Sequence, residues 1–195
     1  MMPYKYFVVI DFEATCDETV KPVPQEIIEF PAILIDVEKR MVVDTFHTYV
    51  KPVFHPILSQ FCTSLTGIEQ PTVDAAATFP QVWESFTTWL APLEASSYCM
   101  LSCGDWDMKT ALPRNLDAHG IDGKRFLQHI ANVKTIFCDS KPGSKPAGLG
   151  AMLKHLKMQF EGRPHSGIDD SNNIAKIVLW LLNNNGNFKS LPAIR

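Results

Sequence analysis

From Tyr6 to Phe12 (YFVVIDF) the chain is apolar and β-branched until it ends in acids, the pattern of a strand buried on both faces and the best candidate for a central strand. Two further strand-like stretches, Glu26 to Val37 and Met41 to Val50, are joined by the polar turn Asp36 to Arg40, so three strands in an antiparallel meander precede the first helix. Apolar residues then fall at Phe79, Val82, Trp83, Phe86, Trp89, Leu90 and Leu93, and spacings of three and four predict an amphipathic helix whose stripe belongs to the core. Tyr98 to Ser102 reads as a fourth strand, Trp106 to His119 as a helix interrupted near Pro113, and Asn132 to Phe137 as a fifth strand. Asp139 to Gly150, rich in Pro, Gly, Ser and Lys, predicts an exposed connection before a short helix from Leu149 to Leu156. The last strong helix is expected to begin near Asp170 and to end at Asn183 to Gly186. Strands first and alternating β and α after them predict an α/β fold, a mixed five-stranded sheet flanked by helices.

The 195 residues, 46% of them hydrophobic, suffice for one compact domain spanning 1–195 with a core that needs neither disulfides nor structural metal. No apolar run is long enough to cross a bilayer and the N-terminus lacks a signal-peptide layout, so a soluble intracellular protein is expected. Cytoplasm is the default compartment, with the nucleus as the alternative. The cysteines, Cys16, Cys62, Cys99, Cys103 and Cys138, are odd in number and form no C-x-x-C, which predicts reduced, partly buried thiols. A net charge of −3 argues against a protein that coats nucleic acid through a general basic surface, so any such contact must be local.

Candidate chemistry gathers at three places. Asp11 and Glu13 are two apart at the end of the first strand, and residues two apart in a strand share a face. Like charges side by side raise each other's pKa, and divalent cations are the natural compensation. An arbitrary acidic pair would simply end a strand in solvent; this pair follows a buried strand, and ligands of α/β sheets gather at such carboxyl ends. The second place is Gly104-Asp105-Trp106-Asp107, after the fourth strand, where either Asp could be a third ligand and where Asp at a helix start is also a common cap; Asp105 reads as the cap. The third is the loop from Arg163, in which His165 precedes Asp170 by five residues. Alone, the His could be an ordinary surface or core residue and the Asp an N-cap. Together, oxygen-only carboxylate donors suit Mg²⁺ or Mn²⁺, and a His outside the metal shell suits a base that deprotonates water.

These motifs, Asp11-x-Glu13, Trp106-Asp107 and His165-x-x-x-x-Asp170, resemble those of the DnaQ-like DEDDh exonucleases, in the family's order. The strings VIDFEATC, QEIIEFPAILI, FCTSLTGI, GDWDM and GRPHSGIDDSNNIAKI are similar to the ERI-type branch, which includes histone-mRNA and small-RNA exoribonucleases. The resemblance implies an RNase H-like fold, two Mg²⁺ or Mn²⁺ ions, and release of nucleoside 5'-monophosphates from a free 3'-hydroxyl. It implies metal carboxylates at Asp11, Glu13, Asp107 and Asp170, with His165 as general base. It implies that Ala14, Thr15, Leu65, Thr66, Ile68, Trp106, Arg163 and His165 line the terminal nucleotide's pocket. The implied partners are single-stranded RNA or RNA 3' overhangs, with DNA as the alternative polymer, and protein adaptors, but no membrane. Neither an extra N-terminal nucleic-acid-binding domain nor a C-terminal Cys/His-rich module of some relatives is present in this sequence, so weak intrinsic substrate selection is expected. Of Lys141, Lys145, Lys154, Lys157 and Arg163, only Arg163, beside the base, is expected to touch phosphate.

Overall fold

A computed structural model describes residues 2–141 and 148–194. The first predicted strand spans Tyr6–Ile10 (β1); the ladder breaks at Asp11 and Phe12 and resumes for two residues at Glu13–Ala14 (β2). The next two strands follow as Ile27–Asp36 (β3) and Met41–Lys51 (β4). Two short helices, Gln60–Thr66 (α1) and Gln70–Asp74 (α2), lie where the hydrophobic pattern gives no periodic signal, because each is too short to repeat one. The ends of α1 are nonetheless written in the sequence: the Ser59 side chain accepts the Cys62 N–H at its start, and Gly67 at φ 75° closes it. A two-residue strand, Ala77–Thr78 (β5), leads into Phe79–Leu90 (α3), entered through a capping box between Thr78 and Gln81. After Tyr98–Ser102 (β6) come Leu112–Ala118 (α4), Ile130–Asn132 (β7), Val133–Ser140 (α5), Leu149–His155 (α6) and Gly167–Asn183 (α7).

The sheet order is β5-β4-β3-β1-β6-β7, with β2 paired to β3. β1 runs antiparallel to β3, β3 antiparallel to β4, and β1, β6 and β7 are mutually parallel where they pair, so the meander is followed by parallel β-α units as the pattern predicts. Five strands of three residues or more, β1, β3, β4, β6 and β7, make the mixed sheet, with β2 and β5 as two-residue additions. Val8 and Ile10 of β1 face α3 and α4, packing with Phe30, Ala32, Val82, Phe86 and Leu112. Phe7 and Val9 face the opposite layer of α5, α6 and α7, packing with Ile33, Ile136, Met152, Ile174 and Val178. Burial on both faces makes β1 the centre of the molecule and holds its C-terminal end rigidly where the acids begin.

Three boundaries differ from expectation. Asn132 to Phe137 is not a strand: the fifth strand ends at Asn132, whose side chain accepts the Lys134 N–H as the N-cap of α5. Val133, Ile136 and Phe137 are its buried residues, a helical spacing that β-branched and aromatic composition disguises. The last helix begins at Gly167, three residues before Asp170. The interruption expected near Pro113 lies just before it, where a wide turn over Asp107–Ala111 with a Leu112 N–H to Asp107 carbonyl bond precedes α4; Pro113 sits harmlessly in the first turn of α4. Part of the predicted 139–150 connection, including Lys145, falls outside the described residues. All five cysteines are free thiols. No helix among the described residues is long and apolar enough to cross a membrane.

Candidate metal centre

The break after β1 delivers Asp11, β2 delivers Glu13, the turn after β6 delivers Asp107, and the first turn of α7 delivers Asp170. The acids meet at the C-terminal end of the central strand. The Phe12 N–H donates to Asp107 at 2.9 Å, locking the second motif against the first. Gly167 lies so close to β1 that a Cβ there would sit 2.7 Å from the Asp11 carbonyl oxygen, so only glycine lets the start of α7 approach. The Asp170 carboxylate reaches back to accept the His165 N–H at 2.8 Å, and His165 holds a left-handed φ of 63°, uncommon for a residue with a Cβ. That bend turns the exposed His165 inward: its ring nitrogen and carboxylate oxygens of Glu13 and Asp170 all lie within 4.8 Å of one another. His165 thus stands close to the place where Glu13 and Asp170 would hold a cation.

Electrostatics mark the same residues. Burial, then Asp107, Asp170, Glu13 and Glu29, hold the Asp11 carboxyl well above the usual carboxylate range. Glu13 is pushed up to about 8 by burial and by Glu29, Asp170 and Asp107, with Arg163 opposing. Burial raises Asp107 to about 6 against the bond from Phe12, and raises Asp170 against the bond from His165. The ion pairs among the described residues are Lys39–Asp36, His47–Glu29, Lys109–Asp105, Lys176–Glu161 and Lys189–Asp139; none reaches these four acids. Hard oxygen donors, crowded, partly desolvated and outside every ion pair among the described residues, are the donor set that divalent cations fit.

The other predicted positions fall around this centre with differing freedom. Thr15 is buried and its hydroxyl accepts the Glu26 N–H at 2.9 Å. Ala14 and Ile68 are also buried, and the Thr66 hydroxyl donates to the Cys62 carbonyl at 2.9 Å. Leu65 and Trp106 are half-buried. Arg163 bridges the His165 loop to α1, donating to the Ser64 carbonyl at 2.7 Å. Asp105 does not cap: its exposed carboxylate accepts from Lys109 Nζ and Asn132 Nδ2, both at 3.1 Å, and it is the Asp105 backbone carbonyl that accepts the Lys109 N–H. Lys141 rests its ammonium 4.3 Å from the centre of the Trp180 ring, while Lys154 and Lys157 lie at the end of α6.

Sequence patterning misses Glu29, only 1% exposed near the start of β3 and opposite Glu13 in the sheet register. An isolated acid in an otherwise apolar strand was the available signal. It also misses Lys134, whose charge lowers the pKa of Asp107 and Asp105.

A mixed sheet with acids from three chain segments and a histidine at the end of its central strand defines an RNase H-like nuclease fold with a DEDDh-type centre. The family model described as Exonuclease (RNase_T) matches residues 8–178. The chain is 42% identical over 186 residues to human ERI1 exoribonuclease 3, covering 91% of this chain and 54% of that protein. It is 39% identical over 184 residues to human 3'-5' exoribonuclease 1, covering 92% and 53%. The chain spans about half the length of these curated relatives. The solved nuclease domain of 3'hExo, a DEDDh family member bound to rAMP, superposes with a TM-score of 0.88 at 37% identity, over 98% of each chain. Cell-death related nuclease 4 superposes with a TM-score of 0.87 at 28% identity, over 94% of this chain and 66% of that one. The chain belongs to the RNase_T exonuclease family, in its DEDDh group, a family whose centre uses divalent metal ions.

Proposed function

We propose that this chain is a 3'-to-5' exoribonuclease that removes nucleoside 5'-monophosphates from a free 3'-hydroxyl end. The observation that carries the reading is the convergence of Asp11, Glu13, Asp107 and Asp170, with no ion pair to any of them among the described residues, beside the ring of His165. Asp11, Glu13, Asp107 and Asp170 would hold two cations, whose four positive charges balance four carboxylates; Mg²⁺ or Mn²⁺ suits the oxygen donors. When bound, such ions supply Lewis-acid activation of phosphate and water and stabilise charge on the leaving oxygen.

The chain's own part is to position and to move a proton. A His165 ring nitrogen takes a proton from the attacking water; the new P–O bond forms in line as the bond to the leaving 3'-oxygen breaks, and that oxygen takes up a proton. Left-handed backbone at His165, fixed by its N–H bond to Asp170, aims the ring at the space between Glu13 and Asp170. Arg163, His165, Leu65 and Trp106 are the predicted pocket residues with exposed surface to offer a terminal nucleotide; Ala14, Thr15, Thr66 and Ile68 shape that pocket from behind. Single-stranded RNA or a 3' overhang is the substrate this reading favours, in line with the named activities of the relatives.

The test is incubation of the protein with 5'-labelled single-stranded RNA and matched DNA, in Mg²⁺, Mn²⁺ or EDTA, against a 3'-blocked control. A metal-dependent ladder shortening from the unblocked 3' end, faster on RNA, is expected; uncut RNA with either metal and folded protein would reject the activity.

A further inference from the structure

Glu29 has no place in the chemistry above, yet it is the most deeply buried acid beside it, 1% exposed. Its Oε2 accepts the Gly167 N–H at 2.8 Å, and its Oε1 accepts the Ile168 N–H at 3.0 Å. The same Oε1 bonds His47 Nε2 at 2.8 Å, from the neighbouring strand β4. A carboxylate accepting the first free N–H groups of a 17-residue helix is well matched to the positive end of the helix dipole. His47 in turn sits edge-on to Tyr49, ring centres 5.4 Å apart, which fixes its orientation.

The consequence is geometric. Gly167 is two residues after His165 and three before Asp170, and it is the point where α7 touches the Asp11 backbone. Whatever sets the height of Gly167 above the sheet sets the distance from His165 and Asp170 to the carboxylates of Asp11 and Glu13. Glu29 is the only side chain among the described residues that hydrogen-bonds the Gly167 and Ile168 amides.

We propose that Glu29, oriented by His47, is a positioning residue that holds the His165–Asp170 segment at its working distance from Asp11 and Glu13 without touching nucleic acid. The inference rests on the exonuclease reading for its effect on rate, but not for its effect on geometry. Glu29→Gln keeps the shape and replaces one of the two oxygens that receive the α7 amides by an NH₂ group. It is expected to lower kcat by about 10- to 100-fold, the range for groups that orient the ligands of a metal site. KM should move by less than about 3-fold, since no ground-state contact is lost. His47→Leu should act in the same direction, and His47→Gln, which keeps an N–H donor, should recover most of that loss.

The experiment combines these kinetics with two-dimensional NMR of the metal-free protein, following the Gly167 and Ile168 amides and the His165 imidazole. Glu29→Gln should speed hydrogen exchange at both amides and displace the His165 ring signals, while amides of the β1 core stay protected. Unchanged His165 signals, or a KM effect with kcat intact, would overturn the proposal, as would equal loss of protection throughout the sheet. A wild-type protein with no nuclease activity would reject the function while leaving the imidazole and amide shifts to decide the positioning.

Discussion

Two sets of buried acids lie within one strand pair of each other, and the molecule treats them in opposite ways. Glu26 and Glu29, 3% and 1% exposed, are saturated with donors: Glu26 accepts the N–H groups of Val53, Phe54 and His55, and Glu29 those of Gly167 and Ile168 plus His47. Glu13, Asp107 and Asp170 are 9%, 6% and 9% exposed, nearly as buried, yet Asp107 and Asp170 each receive one N–H from another residue and Glu13 receives none among the described residues. Glu26 and Glu29 stitch loops and a helix onto β3. Burial raises the pKa of all three others, and Glu29, Asp170 and Asp107 push Glu13 higher still. Burial alone therefore does not separate a structural carboxylate from a functional one; the count of donors does, because an under-supplied buried charge needs a cation.

The largest effect should come from removing a charge in the under-supplied set. Asp11→Asn or Asp107→Asn is expected to cut exonuclease turnover by at least about 10²-fold, and to leave the metal-free fold as stable as wild type or more so, since repulsion is relieved. Wild-type turnover in either variant would break the comparison at its root. His165→Asn, chosen because Asn tolerates left-handed backbone, should slow cleavage at neutral pH by about 10²- to 10⁴-fold while calorimetry still counts the same bound cations. An unchanged rate would remove His165 as the base.

In the saturated set the effect should fall on stability. Glu26→Ala strands three backbone N–H groups and is expected to cost about 3 kcal/mol in denaturant unfolding, with cation stoichiometry intact. The smallest effect is with pH. Glu13 at about 8 and Asp107 at about 6 lie above ordinary carboxylates, so the metal-free folded state holds more protons than the unfolded chain between about pH 4 and 8. Stability without metal should therefore fall as pH rises through that window, by a few degrees in Tm. Added Mn²⁺ should reverse the slope, its benefit growing with pH as protons leave the ligands. A metal-free Tm that rises from pH 5 to 8 would contradict the assignment of these shifts.

Much of this was legible in the chain. The five consecutive residues of β1 and the three-and-four spacing of α3 are dictated by burial on two faces and on one, so the pattern carries them directly. The Asp11-Glu13, Asp107 and His165-Asp170 motifs name the residues that the fold brings together, though not the distances. What escaped is what local pattern does not encode. Asn132 to Phe137 has strand-like composition, but its Asn cap and the spacing of Val133, Ile136 and Phe137 decide for a helix. Asp105 looks like a cap, but Lys109 and Asn132 side chains take its carboxylate instead. Glu29 is invisible as a site residue until α7 is folded onto β3, because its partners lie 138 and 139 positions along the chain.

The most direct test of the difference between the two sets is anomalous diffraction from crystals of the wild-type protein soaked in Mn²⁺. Two manganese peaks bounded by Asp11, Glu13, Asp107 and Asp170, with none at Glu26 or Glu29, is the predicted result; no peak at the end of β1, or manganese held instead by the saturated pair, would contradict it.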